Sequence, residues 1–69
     1  MQKTDKPLRV FWSQDRSRIG MYDTSDNFLG AAERQYDGSY ILLVEESREK
    51  INCVSGIAAI HMMIARINA

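Results

Sequence analysis

The chain has 69 residues, 45% of them hydrophobic and 26% charged, with nine basic residues against nine acidic ones. That is the composition of a folding globular chain, neither disordered nor fibrous, and the zero balance lacks the basic excess of a typical nucleic-acid binder. The single cysteine, Cys53, excludes an internal disulfide.

At this length one domain fits and its core is marginal, since so small a fold hides only ~60% of the surface its unfolded chain exposes. Oligomerisation or a bound partner is the expected additional support. His61 and Arg66 interrupt the longest apolar run, which falls short of the ~20 residues of a membrane span, so no membrane association is expected. The N-terminal Met-Gln-Lys-Thr-Asp-Lys-Pro is charged and no apolar stretch of signal-peptide type follows it. With one free thiol, the cytoplasm is the expected compartment.

Residues 1–7 read as a flexible polar tail ending at Pro7, and 8–69 as a single domain. Up to residue 18 the chain carries Lys3, Lys6, Arg9, Arg16 and Arg18 against Asp5 and Asp15, so the basic charge is concentrated in its first quarter. Leu8 to Trp12 is β-branched and aromatic, Ser13 to Ser17 is turn-like, and Arg18 to Tyr22 is a second strand-like run. Asp23 to Asn27 is a loop of short polar side chains that satisfy turn backbone groups. Asp37-Gly38, between Ala31–Tyr36 and Ser39–Val44, predicts a two-residue type I′ hairpin.

That turn sets Tyr36 opposite Ser39 and places Ile41 and Leu43 on the face of Ala32. Extended through the earlier turns, the meander collects Leu8, Val10, Trp12, Ile19, Met21, Ala32, Ile41 and Leu43 on an apolar core face. The other face receives Arg9, Phe11, Ser13, Arg18, Gly20, Tyr22, Leu29, Ala31, Glu33, Gln35, Tyr40, Leu42 and Val44. Residues 48–54 admit two readings, a longer helix capped by Ser47 or a fifth strand at 50–54. From Ser55, a suitable N-cap, the Ala- and Met-rich run to Ala69 predicts a helix. The expected fold is therefore α+β: an antiparallel sheet of three to five strands packed against one C-terminal helix. This element order is similar in outline to that of small sheet-and-helix DNA-binding modules such as the arm-type domains of phage integrases, although no motif of that family stands in the chain.

Between 56 and 68 only Gly56, His61, Arg66 and Asn68 are not apolar. A helix apolar nearly all round is covered on more than one side, and one sheet covers one side. A homo-oligomer is the expected outcome, with Gly56, Ala59, Met62 and Met63 as its interface.

Chemistry-bearing residues are few. His61 lies among Ile and Ala with no nucleophile or acidic orienter at a useful spacing, and reads as a half-buried structural histidine. Cys53 has no helix N-terminus or adjacent cation to lower its pKa and reads as a small buried hydrophobe. One Cys and one His fall short of a metal set. Glu45, Glu46 and Glu49 with Arg48 and Lys50 read as a solvated turn, and no glycine spacing fits a phosphate loop. No catalytic residue, cofactor or metal is expected.

The one constellation that suggests an interaction is aromatic and basic: Arg9, Phe11, Arg18, Tyr22 and Tyr40, with Leu42 beside them. Rings on a sheet anchor protein interfaces or stack single-stranded bases. With zero net charge the expectation is a small non-catalytic protein-binding module, a stoichiometric regulator or inhibitor of the kind carried by phages and other mobile elements. A nucleic-acid or nucleotide binder using the same face is the alternative.

Overall fold

The computed structural model describes residues 6–69. The segments between the turns form five strands, β1 (Arg9–Trp12), β2 (Arg18–Tyr22), β3 (Phe28–Arg34), β4 (Tyr40–Val44) and β5 (Lys50–Cys53), followed by the helix α1 (Gly56–Ile67); β1, β2 and β4 are rich in β-branched and aromatic residues, whereas β3 is held mainly by its pairing on both sides. The strands pair antiparallel in chain order, so the sheet is a five-stranded meander joined only by hairpins. The helix lies across β3, β4 and β5 on one face. The α+β layout is as expected, with residues 50–53 as the fifth strand. Ser55, not Ser47, caps the helix: its side chain accepts from the Ala58 N–H at 3.0 Å. The tail expected over 1–7 lies outside the described residues except for Lys6 and Pro7. Of these, Lys6 donates its backbone N–H to Asn68 Oδ1 at 2.6 Å, at the end of α1.

The β3–β4 turn differs from the expected one by a single residue. Arg34 pairs with Tyr40, and the Gln35 N–H donates to Ser39 O at 2.7 Å, so the loop holds three residues, Tyr36, Asp37 and Gly38. The Gly38 N–H closes a turn onto Gln35 O at 3.1 Å, and Gly38 then takes φ +89°. A type I turn followed by a left-handed residue is the usual three-residue hairpin loop. Because side chains alternate along a strand, the extra residue turns all of β4 over. Tyr40, Leu42 and Val44 face the helix, and Ile41 and Leu43 face away from it. Trp12 and Leu43 are thus on opposite faces, contrary to the expected grouping.

The core is built in rows across the sheet. Trp12, Ile19, Ala32, Leu42 and Ile51 form one row, and Val10, Met21, Gly30 and Val44 the next. Tyr40 and Cys53 lie beyond the first row. Ile19, Met21, Leu42 and Met63 are the largest fully buried side chains. The Tyr40 ring packs edge-on against Trp12, and its hydroxyl donates to Arg16 O at 2.5 Å, so its one polar atom is satisfied. Gly56, Ala59 and Met63 form the buried side of α1. A β carbon on Gly56 would lie 2.5 Å from Trp12 Cη2, and one on Gly30 would lie 2.4 Å from Leu43 O and 2.6 Å from Met63 Cε. Both approaches require glycine.

The turned-over register predicts unequal effects at neighbouring positions. Leu42→Ala empties a fully buried site and should cost ~2–5 kcal/mol, whereas Leu43→Ala on the outer face should cost about 1 kcal/mol or less. Urea denaturation of both variants checks this, and the reverse order would restore the two-residue turn. Gly30→Ala should destabilise by ~1–3 kcal/mol despite its better intrinsic propensity, because the neighbouring backbone oxygen must move.

Candidate interaction face

The face of the sheet opposite α1 is covered by no element among the described residues. By strand register its central row runs Phe11, Gly20, Ala31, Leu43, Lys50. Arg9, Tyr22 and Phe28 form the row on one side, and Arg18, Glu33, Ile41 and Asn52 the row on the other. Of the residues expected here, Arg9, Phe11, Arg18 and Tyr22 come together. Tyr40 and Leu42 do not: both are buried beneath the helix by the turned-over register. Val44, expected on the same face, is buried with them, and Leu29 packs against the core because a bulge between Met21 and Tyr22 shifts the pairing and brings Phe28 opposite Tyr22. Phe28, Ile41, Leu43, Lys50 and Asn52 are the members of this face that the sequence did not reveal.

The aromatic residues form one cluster. Phe11 meets Tyr22 edge-on with centroids 5.7 Å apart, and Tyr22 tilts against Phe28 at 5.5 Å. Phe11 is 52% exposed and Phe28 42%. Gly20 makes room for Tyr22: a β carbon there would stand 3.3 Å from Tyr22 Cε1. The small floor of Gly20 and Ala31 leaves two open depressions. One, of about 500 Å³, is bounded by Phe11, Gly20, Tyr22, Arg18 and Asp26; the other, of about 460 Å³, by Arg18, Ala31, Glu33, Ile41, Leu43 and Lys50.

The charges at the rim are mostly compensated. Arg9 is ion-paired with Asp26 while its guanidinium stands 5.5 Å from the Phe11 ring centroid, and Arg18 pairs with Glu33 at 3.2 Å. Pairs this exposed contribute ~1 kcal/mol or less, but they neutralise the two arginines. Lys50 has no ion pair among the described residues.

Other chemistry-bearing groups are dispersed. His61 is exposed on α1, not half-buried as expected, with no acidic partner among the described residues. Cys53 is buried, and burial pushes its thiol pKa up, away from the reactive thiolate. Glu45 pairs with Arg48 at 3.2 Å and Glu49 with Arg66 at 2.6 Å. Among the described residues no group of three or more His, Cys, Asp or Glu could hold a metal ion, and no helix is long and apolar enough to cross a membrane.

Gly56, Ala59 and Met63, expected at an oligomer interface, are buried against the chain's own sheet. Met62 alone of that set is exposed. No protein-family model, curated protein or solved structure matches the chain.

The turns that hold this face are stabilised by aspartates. Asp15 accepts from the Ser17 hydroxyl at 2.7 Å, the Ser17 N–H at 3.1 Å and the Ser13 hydroxyl at 2.8 Å, which bring its pKa down to about 2. Asp23 is lowered chiefly by the Asn27 side chain and Asp37 by the Ser39 hydroxyl. A carboxyl depressed in the folded state stabilises above its unfolded pKa, 3.8 here, and that contribution is lost as pH falls through the folded value. Stability should therefore decline between about pH 4 and pH 2. The gap in urea midpoint between wild type and Asp15→Ala should be full at pH 6 and should close near pH 2; a gap independent of pH would show that the carboxylate charge is not what matters.

Proposed function

We propose that this protein is a non-catalytic protein-binding module that acts as a stoichiometric regulator or inhibitor, docking its partner on the sheet face opposite α1. The observation that carries this reading is the row Phe11, Gly20, Ala31, Leu43, an apolar band with a low centre on a face that no other element of the described chain covers. Aromatic residues beside pockets are the usual anchors of protein interfaces. The partner it suits presents apolar side chains that enter the two depressions and an acidic group that meets Lys50, the charged member of the central row, which has no ion pair among the described residues.

Nucleic-acid binding through Phe11, Tyr22, Arg9 and Arg18 is the second reading, favoured by the exposed ring cluster. It is the weaker because both arginines are held by Asp26 and Glu33, and phosphate affinity comes from cations free to displace counterions. Self-association belongs to the first reading, through the exposed side of α1 instead of Gly56, Ala59 and Met63. Its one thiol, Cys53, suits a reducing cytoplasm.

A photo-crosslinking amino acid at Phe11 or Ile41 in host cells, compared with one at the exposed turn residue Tyr36, tests the docking face. The expected result is one discrete adduct from the two face positions, none from Tyr36, and its loss when Ala31→Asp puts a charge on the floor between the depressions. In parallel, short single-stranded RNA and DNA should show no saturable binding at physiological salt. Saturable oligonucleotide binding that weakens steeply with salt, or adducts equally strong from Tyr36, would sink the proposal.

A further inference from the structure

We infer that the open edge of β5 takes an extended segment of the partner protein as a sixth, antiparallel strand, with an acidic side chain opposite Lys50. This rests on the protein-binding reading above and names the form in which the partner arrives; it concerns the edge of the sheet, not the Phe11 face. The Val44 N–H donates to Glu49 O at 2.9 Å, and Leu43 is paired with Lys50. Residues that bond to a given neighbour alternate along an antiparallel ladder. Glu49, Ile51 and Cys53 therefore turn their backbone groups to β4, and Lys50 and Asn52 turn theirs outward. β5 is the last strand of the sheet, and among the described residues nothing pairs with these outward groups. Alternating N–H and C=O groups at strand spacing are met in full only by another extended backbone.

The helix makes a groove of this edge. Arg66 reaches Glu49 at 2.6 Å and the Ser47 hydroxyl at 3.4 Å, both in the turn that leads into β5. Met62, one turn earlier on the same flank of α1, is thereby turned to the β5 side, and it is 41% exposed. Ile51 ends its core row on the helix side of the sheet and is only half-buried. A strand added ~4.8 Å beyond β5 lays every second side chain beside Ile51 and beneath the Met62 flank. The open edge of β1 differs, because the helix contacts are concentrated on β3, β4 and β5 and Arg9 is already ion-paired with Asp26.

Lys50 decides between a partner and a second copy of this chain. It ends the central row of the outer face and has no ion pair among the described residues. An acidic residue directly opposite it on the added strand supplies one. Only residues with outward backbone groups stand opposite one another in a new bonded pair, so β5 of a second copy brings Lys50 or Asn52 to that place. In β1 the Ser13 N–H donates to Arg18 O, which makes Val10 and Trp12 the outward residues there. Neither edge of this chain carries the acid.

The probe is the peptide acetyl-Ile-Thr-Val-Glu-Thr-amide, ordered so that its valine stands opposite Ile51 and its glutamate opposite Lys50. Titrated to millimolar concentration into the isotope-labelled chain and followed by NMR, it should shift the amides of Lys50 and Asn52 and slow their hydrogen exchange. N-methylation of its glutamate, whose N–H faces β5, should abolish binding, and N-methylation of its valine, whose N–H faces away, should preserve it. Exchanging its glutamate for lysine should weaken binding about fivefold, and Lys50→Glu in the chain should reverse that preference. Asn52→Pro removes one outward N–H without touching the bonds to β4 and should abolish binding, with a circular dichroism melt establishing that the variant is folded. Three results would each overturn the inference: no shift at Lys50 and Asn52, binding indifferent to which amide is methylated, or shifts at Asn52 that grow with the chain's own concentration in the absence of peptide, the mark of a second copy. The titration uses no crosslink at Phe11 or Ile41, so the docking face and the β5 edge can each fail alone.

Discussion

The seat of α1 depends on one contact, the helix backbone at Gly56 against the Trp12 ring and Ile19. Nothing larger than hydrogen fits there. Ser55 caps the helix immediately before this point, so the start of the helix and its closest approach to the sheet coincide. From there Ala59 and Met63 follow on the same side, and Met63 reaches the space left by Gly30 in the central strand, one row from Trp12 and Ile19. Arg66 on Glu49 ties down the last turn. With both ends fixed, the rotation of the helix about its own axis is fixed too, and Ile57, His61 and Ile64 have nowhere to go but outward.

The run Gly30-Ala31-Ala32 in β3 acts on both faces of the sheet at once. On the core side Gly30 and Ala32 leave the height that Met63 and Leu42 occupy. On the other side Ala31, paired with Gly20, forms the floor between the two depressions. The same small residues that let one helix come close therefore also leave the opposite surface concave. Packing and the candidate site have a common origin in one short segment of sequence.

Most of the strands and the helix were legible because their signals are local, short strand-forming runs between polar turns and an Ala- and Met-rich run behind a serine cap; β5 was left between strand and helix because Lys50-Ile-Asn-Cys carries only one strong strand former. The face of β4 was not legible, because it depends on whether the loop before it holds two residues or three. Asp37-Gly38 satisfies both, as the two central positions of a type I′ turn or as the end of a type I turn closed by a left-handed glycine. The following residues, Tyr40 to Val44, are apolar on both faces and so give no alternation to decide it. The other turns show why glycine alone is a poor guide: Arg16, Asp26 and Arg48 adopt the same left-handed backbone without it, at φ 61°, 64° and 60°. Arg9, Phe11, Arg18 and Tyr22 were found together because β1 and β2 alternate cleanly. Tyr40 and Leu42 were misplaced with the rest of β4, and Phe28 was missed because a bulge carries no sequence mark of its own.

The exposed apolar residues on the two sides of the molecule are of different kinds, and the difference bears on which of them function requires. On the sheet, Phe11, Tyr22 and Ile41 are good strand formers, so intrinsic propensity alone would tolerate them in water. On the helix the argument runs the other way. Ile57 and Ile64 are poorer helix formers than alanine, lysine or glutamate, and neither belongs to the buried cluster that holds α1 to the sheet. Local propensity therefore does not account for them. An exposed residue that weakens its own helix slightly and keeps apolar surface in water is explained better by a contact that covers it than by its propensity. On the helix side that argument is stronger than on the sheet, even though the sheet carries the larger and more aromatic surface.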